Sequence, residues 1–426
     1  MTRAKPQAER GRAWAIFAVA SLGFVLSQFY RVSNAVISED LMRELGLTVE
    51  ALSTLSAVFF YAFAASQIPL GLALDRLGPR RAIIPLSLAG LVGAGAFALA
   101  QGETAALWGR VLLGVGMSCN LMGALALLAA WFPPQVFATL SGLLVGVGYL
   151  GGLLAATPLA WLAQGWGWRW AFAAIAILHA AQTLMVVLVV KDRPAGGAFA
   201  ELKRAKPWSG LGQVLYRPAF WVICLGTFFR YGCFAALMGL WAGPFLMGAL
   251  GWTKLDTGHA LTTLTVAHII GLPLTGGLSD RWFRTRKWVI APALFASALL
   301  TWSLGGLERG APWWAVHGLF ALIGFCSAPG QIMYAHVKEL VPAPVQGTAM
   351  TGINLFTMLG PAVVMQAAGW LVAARPDQLG YPAAFAPAWL FMAAGLALSG
   401  LVYLGLPDSR PAARPAPGPG AIDAKP

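Results

Sequence analysis

Gly71-Leu72-Ala73-Leu74-Asp75-Arg76-Leu77-Gly78-Pro79-Arg80-Arg81 ends one apolar run, and Gly276-Gly277-Leu278-Ser279-Asp280-Arg281-Trp282-Phe283-Arg284-Thr285-Arg286-Lys287 ends another. Their aspartates stand 205 residues apart in a chain of 426. A basic turn that recurs after about half the chain, each time behind an apolar stretch, marks a duplicated unit. Duplication of a set of membrane helices gives a fold of two related halves.

Composition agrees with a lipid-facing chain. Hydrophobic residues make up 58% and charged residues only 11%, against about 25% charged in an ordinary soluble domain. So few charges cannot cover a water-facing surface. Apolar runs long enough to cross about 30 Å of hydrocarbon lie at Ala13 to Val36, Leu52 to Leu74, Ala82 to Ala100, Ala105 to Ala130, Ala138 to Leu162 and Trp170 to Val190. Six more follow at Ala219 to Met247, Thr257 to Leu278, Trp288 to Leu307, Trp313 to Val337, Thr348 to Ala374 and Phe385 to Leu406. The expected fold is an all-α polytopic membrane protein with twelve transmembrane helices in two pseudo-symmetric six-helix bundles. The domain reading is a tail 1–12, a bundle 13–190, a central loop 191–217, a bundle 218–406 and a disordered tail 407–426. The first run passes Ala18-Val19-Ala20 without a break, so it reads as a retained helix rather than a cleaved signal.

Charge gives the orientation. With the N-terminus in the cytoplasm, 21 of the 29 Lys and Arg fall on the cytoplasmic side and 6 on the other, with Arg31 and Arg230 inside spans. The positive-inside rule therefore puts both termini and the central loop in the cytoplasm of a bacterial inner membrane. The net charge of +13 is scattered among these loops, which suits lipid headgroups and not nucleic acid. Cys119, Cys224, Cys233 and Cys326 lie in apolar runs without metal-ligand spacing and read as small core hydrophobes. No metal and no cofactor is expected, nor an enzyme: paired acids and nucleophile–base pairs are missing from the spans.

The repeated turn resembles the loop signature of the major facilitator superfamily, G-x-x-x-D-R-x-G-R-K. The first copy matches it at Gly71, Asp75, Arg76, Gly78 and Arg80, and the second at Gly276, Asp280, Arg281 and Arg284. The resemblance implies a secondary transporter whose halves rock about a central site. The turn then acts as a gate. Asp75 lies near the N-terminus of span eleven, around Gly347, where the helix dipole favours an anion by about 0.3 to 1 kcal/mol, and Arg76, Arg80 and Arg81 tether that surface. Arg110-Val111-Leu112-Leu113-Gly114-Val115-Gly116 resembles the family's R-x-x-x-G-x-G element; Arg110 either reaches the central cavity or snorkels to the outer interface. Gly148 stands where drug antiporters of the superfamily have proline, which counts against that activity.

Arg31 in span one and Arg230 in span seven occupy equivalent places, 199 residues apart. A charge at mid-bilayer costs at least about 2.5 to 3.5 kcal/mol, so it faces a watery path or a counter-charge. All sixteen Asp and Glu lie in tails, loops or span ends. Two guanidinium forks without carboxylate partners invite an anionic ligand held bidentately. Their setting resembles that of the organophosphate:phosphate antiporter branch, where the matching arginines bind phosphate, although that branch's histidine in span five has no counterpart among residues 138 to 162. The stretch Phe29 to Arg81 also resembles anion:cation symporters, sulfonate and organic-acid permeases, and the intraphagosomal amino-acid transporters of proteobacteria. Gln67, Asn120, Tyr149, Thr265, Gln331 and Asn354 are the polar candidates to complete the site, with Tyr30, Tyr61, Tyr231 and Trp241 as aromatics that pack against a carbon skeleton and His268 as a further binding residue. His268 and His179 are the candidates for a coupling proton.

The sequence thus points to a transporter of one small organic anion, a carboxylate, sulfonate or phosphate ester, working as a monomer with protons or a counter-transported anion as partner. Import of amino acids or nucleosides, and a nutrient sensor that does not transport, are the competing readings.

Overall fold

The structure is a computed structural model that describes residues 7–193, 211–342, 345–375 and 381–409. Among these, twelve helices are long and apolar enough to cross a membrane. They are α1 (Glu9–Val32), α2 (Val49–Leu74), α3 (Pro79–Ala98), α4 (Glu103–Trp131), α5 (Gln135–Trp166) and α6 (Trp168–Val189) in the first half. The second half holds α7 (Pro218–Trp241), α8 (Lys254–Trp282), α9 (Lys287–Gly306), α10 (Trp313–Leu340), α11 (Gln346–Ala373) and α12 (Pro382–Leu404). Most of the expected central loop and of the C-terminal tail falls outside the described residues. An even number of spans brings both ends out on one face, here called the terminal face.

The helices are not uniform rods. Beyond α1, after Ser33, a further helix runs Asn34–Leu45, so the helical path extends well past the expected end at Val36 and carries Glu39 and Asp40 with it. Helix α4 is interrupted at Ser118 and Cys119, α5 at Tyr149, and α10 by the 3₁₀ turn Ala328–Gln331. The end of α7 widens into a π-helical turn, Leu237–Trp241, and a second follows at Pro244–Ala249. Breaks of this kind free backbone groups and redirect side chains. They are tolerated at membrane depth where protein or an aqueous cavity takes up the freed groups.

The halves meet along a seam. Toward the face opposite the termini, the far face, their contact is tight. A Cβ at Gly243 would fall well inside contact distance of the Ala35 carbonyl, and one at Gly369 would overlap Ser53. Thr157 and Thr262 share a hydrogen bond of 2.8 Å across the seam, and Lys254 on α8 pairs with Asp40. Toward the terminal face a Cβ at Gly71 or Gly347 would touch nothing within 4 Å. The far face is the closed side of the seam.

The loops of the terminal face bind their own halves. Gly78 has φ +85°, a left-handed conformation that glycine adopts without a Cβ penalty, and it precedes Pro79 at the start of α3. The Arg80 amide donates to Asp192 Oδ1 at 2.7 Å, and its Nη2 donates to the Val187 carbonyl at 2.8 Å. Arg80 therefore ties α3 to the end of α6, not to α11 as expected. The Asp75 side chain lies outside the described ones, and Arg76 and Arg81 are exposed. In the second copy a π turn, Leu278–Trp282, extends the helix and moves the left-handed residue to Arg284, φ +49°. Gly276 has open space where a Cβ would stand, and Arg281 and Arg284 are exposed. The charge contacts belong to Arg286, which sequence reasoning missed. It pairs with Asp280 and, at 2.9 Å, with Glu339 on α10.

Candidate functional site

Arg31 lies in the last turn of α1, two residues before the break at Ser33, and its side chain turns into the seam. It is 5% exposed. Its Nη1 donates to the Tyr231 hydroxyl on α7 at 3.3 Å, and its guanidinium rests 4.6 Å from the Phe63 ring centroid on α2. Nε has no hydrogen-bond partner. Arg230 precedes Tyr231, and its guanidinium lies 5.5 Å from the centroid of that ring. One tyrosine therefore stands between the two cations, touching Arg31 with its hydroxyl and Arg230 with its ring. Arg230 is 3% exposed, and its Nη1 donates to the Ser327 carbonyl at 3.4 Å. Among the described residues neither guanidinium is paired with a carboxylate. Acidic side chains of the ion pairs all lie toward the two faces, at Asp40, Glu44, Asp280 and Glu339.

The interruption of α10 at Ala328-Pro329-Gly330-Gln331 lets the second cation sit where it does. Proline removes an amide donor, and Gly330 presents bare backbone to the guanidinium; a Cβ there would overlap Arg230 Nε. The break of α5 places Tyr149 opposite. His268 Nδ1 faces the Gly324 carbonyl at 3.1 Å, which only accepts, so Nδ1 carries the proton. Nε2 is then free to accept from the Tyr149 hydroxyl at 3.3 Å. This bond crosses the seam from α5 to α8. Tyr149 also stands within electrostatic reach of Arg31, Arg230 and Tyr231 and beside Gln331.

A second polar layer lies nearer the terminal face. Asn354 Nδ2 donates to Gln67 Oε1 at 3.4 Å across the seam, and Gln67 Nε2 donates to the Ser118 carbonyl at the break in α4. The Tyr334 hydroxyl lies 3.0 Å from Thr357 and 3.3 Å from Asn354. On the far side the Tyr61 hydroxyl donates to Gln366 at 2.9 Å. The structure thus gathers Arg31, Arg230, Tyr231, His268, Gln331, Gln67 and Asn354 about the seam. Sequence reasoning missed Phe63, Tyr334 and Gln366, whose residue types give no signal apart from their neighbours in space.

Three expected site residues lie elsewhere. Tyr30 is fully buried inside the first half, its ring against Phe29 and Phe172 and 5.9 Å from His179; next to Arg31 on a helix, it points about 100° away. Asn120 is buried between α1 and α6, close to Gly23 and Gln182. Arg110 neither enters the seam nor snorkels. It is wholly buried, donates to the Tyr30 carbonyl at 2.7 Å and stacks 4.8 Å from the Phe59 centroid, so its part is to hold α4 against α1 and α2 rather than to gate.

Comparison with known proteins is consistent with this architecture. The model of the Major Facilitator Superfamily matches residues 19–243 and 223–423. The chain belongs to the Major Facilitator Superfamily, and is a membrane transporter rather than an enzyme. It is 22% identical over 400 residues to the "Probable galactarate/D-glucarate transporter GudP" of Escherichia coli, a match covering 82% of this chain and 85% of that protein. It is 24% identical over 395 residues to the "Hexuronate transporter" of Bacillus subtilis, covering 88% and 90%. Among solved structures, a bacterial homolog of the human lysosomal transporter Spinster superposes with a TM-score of 0.73 at 15% identity, over 94% of this chain and 97% of that one. That likeness shows the fold.

Proposed function

We propose that this protein is a secondary transporter that moves a small organic anion by alternating access, with Arg31 and Arg230 supplying the positive charge of the binding site. The observation that carries this reading is the pair of cations about Tyr231, one from each half and, among the described residues, neither paired with a carboxylate. A carboxylate arriving at the seam accepts from the Arg31 fork, and Arg230 adds its field from the other side of the tyrosine ring. Ligand that touches both halves favours the state in which they close around it, and this differential contact is what drives the switch. The two relatives support a carboxylate: galactarate, glucarate and hexuronates all carry at least one. The charge asymmetry of the loops supports an inner membrane with cytoplasmic termini; the closed far face is then the outer one. Uptake coupled to a proton, or exchange for another anion, completes the cycle.

The test is thermal stabilisation of the purified protein by D-glucarate, glucuronate, sulfoacetate, glycerol phosphate and neutral amino acids. Organic acids are expected to stabilise it and amino acids not. Arg31→Gln should weaken the best acid at least tenfold, since a charged hydrogen bond is worth about 1.5 to 3 kcal/mol. Equal affinity in parent and variant would remove the case for an anionic cargo, and stabilisation by amino acids alone would replace it.

A further inference from the structure

Arg230 has a second surface that the seam does not use. Behind α7 lies a cavity of about 10 Å³, room for one water-sized particle. Its polar lining is Arg230, Ser297, Thr301 and Ser327, from α7, α9 and α10, closed by apolar side chains that include Phe234 and Leu396. Every one of these belongs to the second half. Four polar atoms of this lining are shielded from solvent and lack a partner: Nε and Nη2 of Arg230, and the hydroxyls of Ser297 and Ser327. Arg230, Ser297 and Ser327 are each 6% exposed or less. Buried polar groups are normally satisfied, and a cluster of orphans marks a place where something binds.

The chemistry of the orphans narrows the choice. Both guanidinium nitrogens of Arg230 are obligate donors, and each hydroxyl has a proton to give. None of the lining residues is acidic. A water molecule would accept two of these bonds and leave the guanidinium charge uncompensated at a depth where that charge is costly. A monatomic anion accepts from all four and cancels the charge. Carboxylate and phosphate are too large for the space. We propose that this cavity binds a single halide-sized anion, chloride under physiological salt, held by Arg230 between the Ser297 and Ser327 hydroxyls. The site shares Arg230 with the proposed organic-anion site, but neither Arg31 nor Tyr231 lines it, and it is separable from that site by variants of the two serines.

The experiment titrates the purified full-length protein with sodium chloride and sodium bromide at constant ionic strength, sodium sulfate making up the balance, and follows the thermal transition. A saturable rise with either halide and none with sulfate is expected. Ser297→Ala and Ser327→Ala should each raise the apparent halide Kd about tenfold, the worth of one hydrogen bond to an ion, and leave stabilisation by the best organic acid unchanged. Arg230→Gln should abolish the halide response. No saturable response in the parent overturns the proposal, as does a response that both serine variants leave intact, which would move the halide to the seam. Should the serine variants fail to fold, bromide anomalous scattering from crystals of the parent decides the matter: a peak beside Arg230 and Ser297 is required, and a peak at Arg31 alone refutes the site. Halide binding without any organic-acid binding would sink the proposed cargo and leave this site standing.

Discussion

Replacing Asp40 with asparagine should release the far side of the protein. Asp40 Oδ2 accepts from Lys254 Nζ across the seam, and the two side chains are 8% and 17% exposed. Its other oxygen takes Arg43 at 2.8 Å, but Arg43 is 71% exposed and lies on the same helix, so that pair does not join the halves. An exposed ion pair contributes about 0.5 kcal/mol, and breaking a fully buried one costs about 3 to 5 kcal/mol. The Lys254 pair falls between, at about 2 kcal/mol. Because it exists only when the far face is closed, its loss raises the population open on that face by about 30-fold, at about 1.4 kcal/mol per tenfold. A cysteine at Thr262, which bonds Thr157 in the closed seam, reports this state through its rate of labelling by an impermeant maleimide. The background should carry alanine at Cys326, the one native cysteine that is not buried. Asp40→Asn is expected to raise that rate about 30-fold and Lys254→Gln by a similar amount, with the double variant adding little to either. Rates within twofold of the parent in both single variants would refute the latch.

Two further outcomes follow from packing and from charge. Gly243→Ala puts a methyl group against the Ala35 carbonyl; it should speed the same labelling and slow transport, with no loss of thermal stability larger than about 2 kcal/mol. Asp408 sits beyond α12. Burial pulls its carboxyl up, but hydrogen bonds from Thr285 Oγ1 and the amides of Lys287 and Arg286 outweigh this and hold it below its ordinary 3.8. The stability it contributes is therefore fully present above pH 3.8 and lost as pH falls through the lower folded value. Asp408→Asn should lower the midpoint of thermal unfolding at pH 7, and the gap from the parent should shrink below about pH 4.

The membrane fold was legible in the sequence because its cause is local and additive. A span needs about 20 apolar residues in a row, and twelve such runs, split by a repeated turn, leave few other architectures open. The two arginines were legible for a similar reason: a charge inside an apolar run is conspicuous whatever surrounds it. The glycines were less informative. Gly114 and Gly116 stood out only through a motif, and which helix approaches Gly114, Gly116 or Gly151, at Phe59 on α2, Gly90 on α3 or Val25 on α1, is a property of the packed bundle.

Direction around a helix decided the rest. Tyr30 and Arg31 are neighbours in sequence, yet one packs beside His179 in the first half and the other meets Tyr231 across the seam. Arg110 sat in a recognisable motif, but its guanidinium found the Tyr30 carbonyl, a partner with no sequence signature at all. Arg286, and not the motif residues Arg281 and Arg284, makes the ion pairs of the second turn, which a π turn precedes. Composition and periodicity alone determined that this chain crosses a membrane twelve times in two related halves with two cations inside. Which face is closed, and which side chains share the seam, was decided by the rotation and breaks of the helices, since a small angular change exchanges a buried contact for a cavity wall.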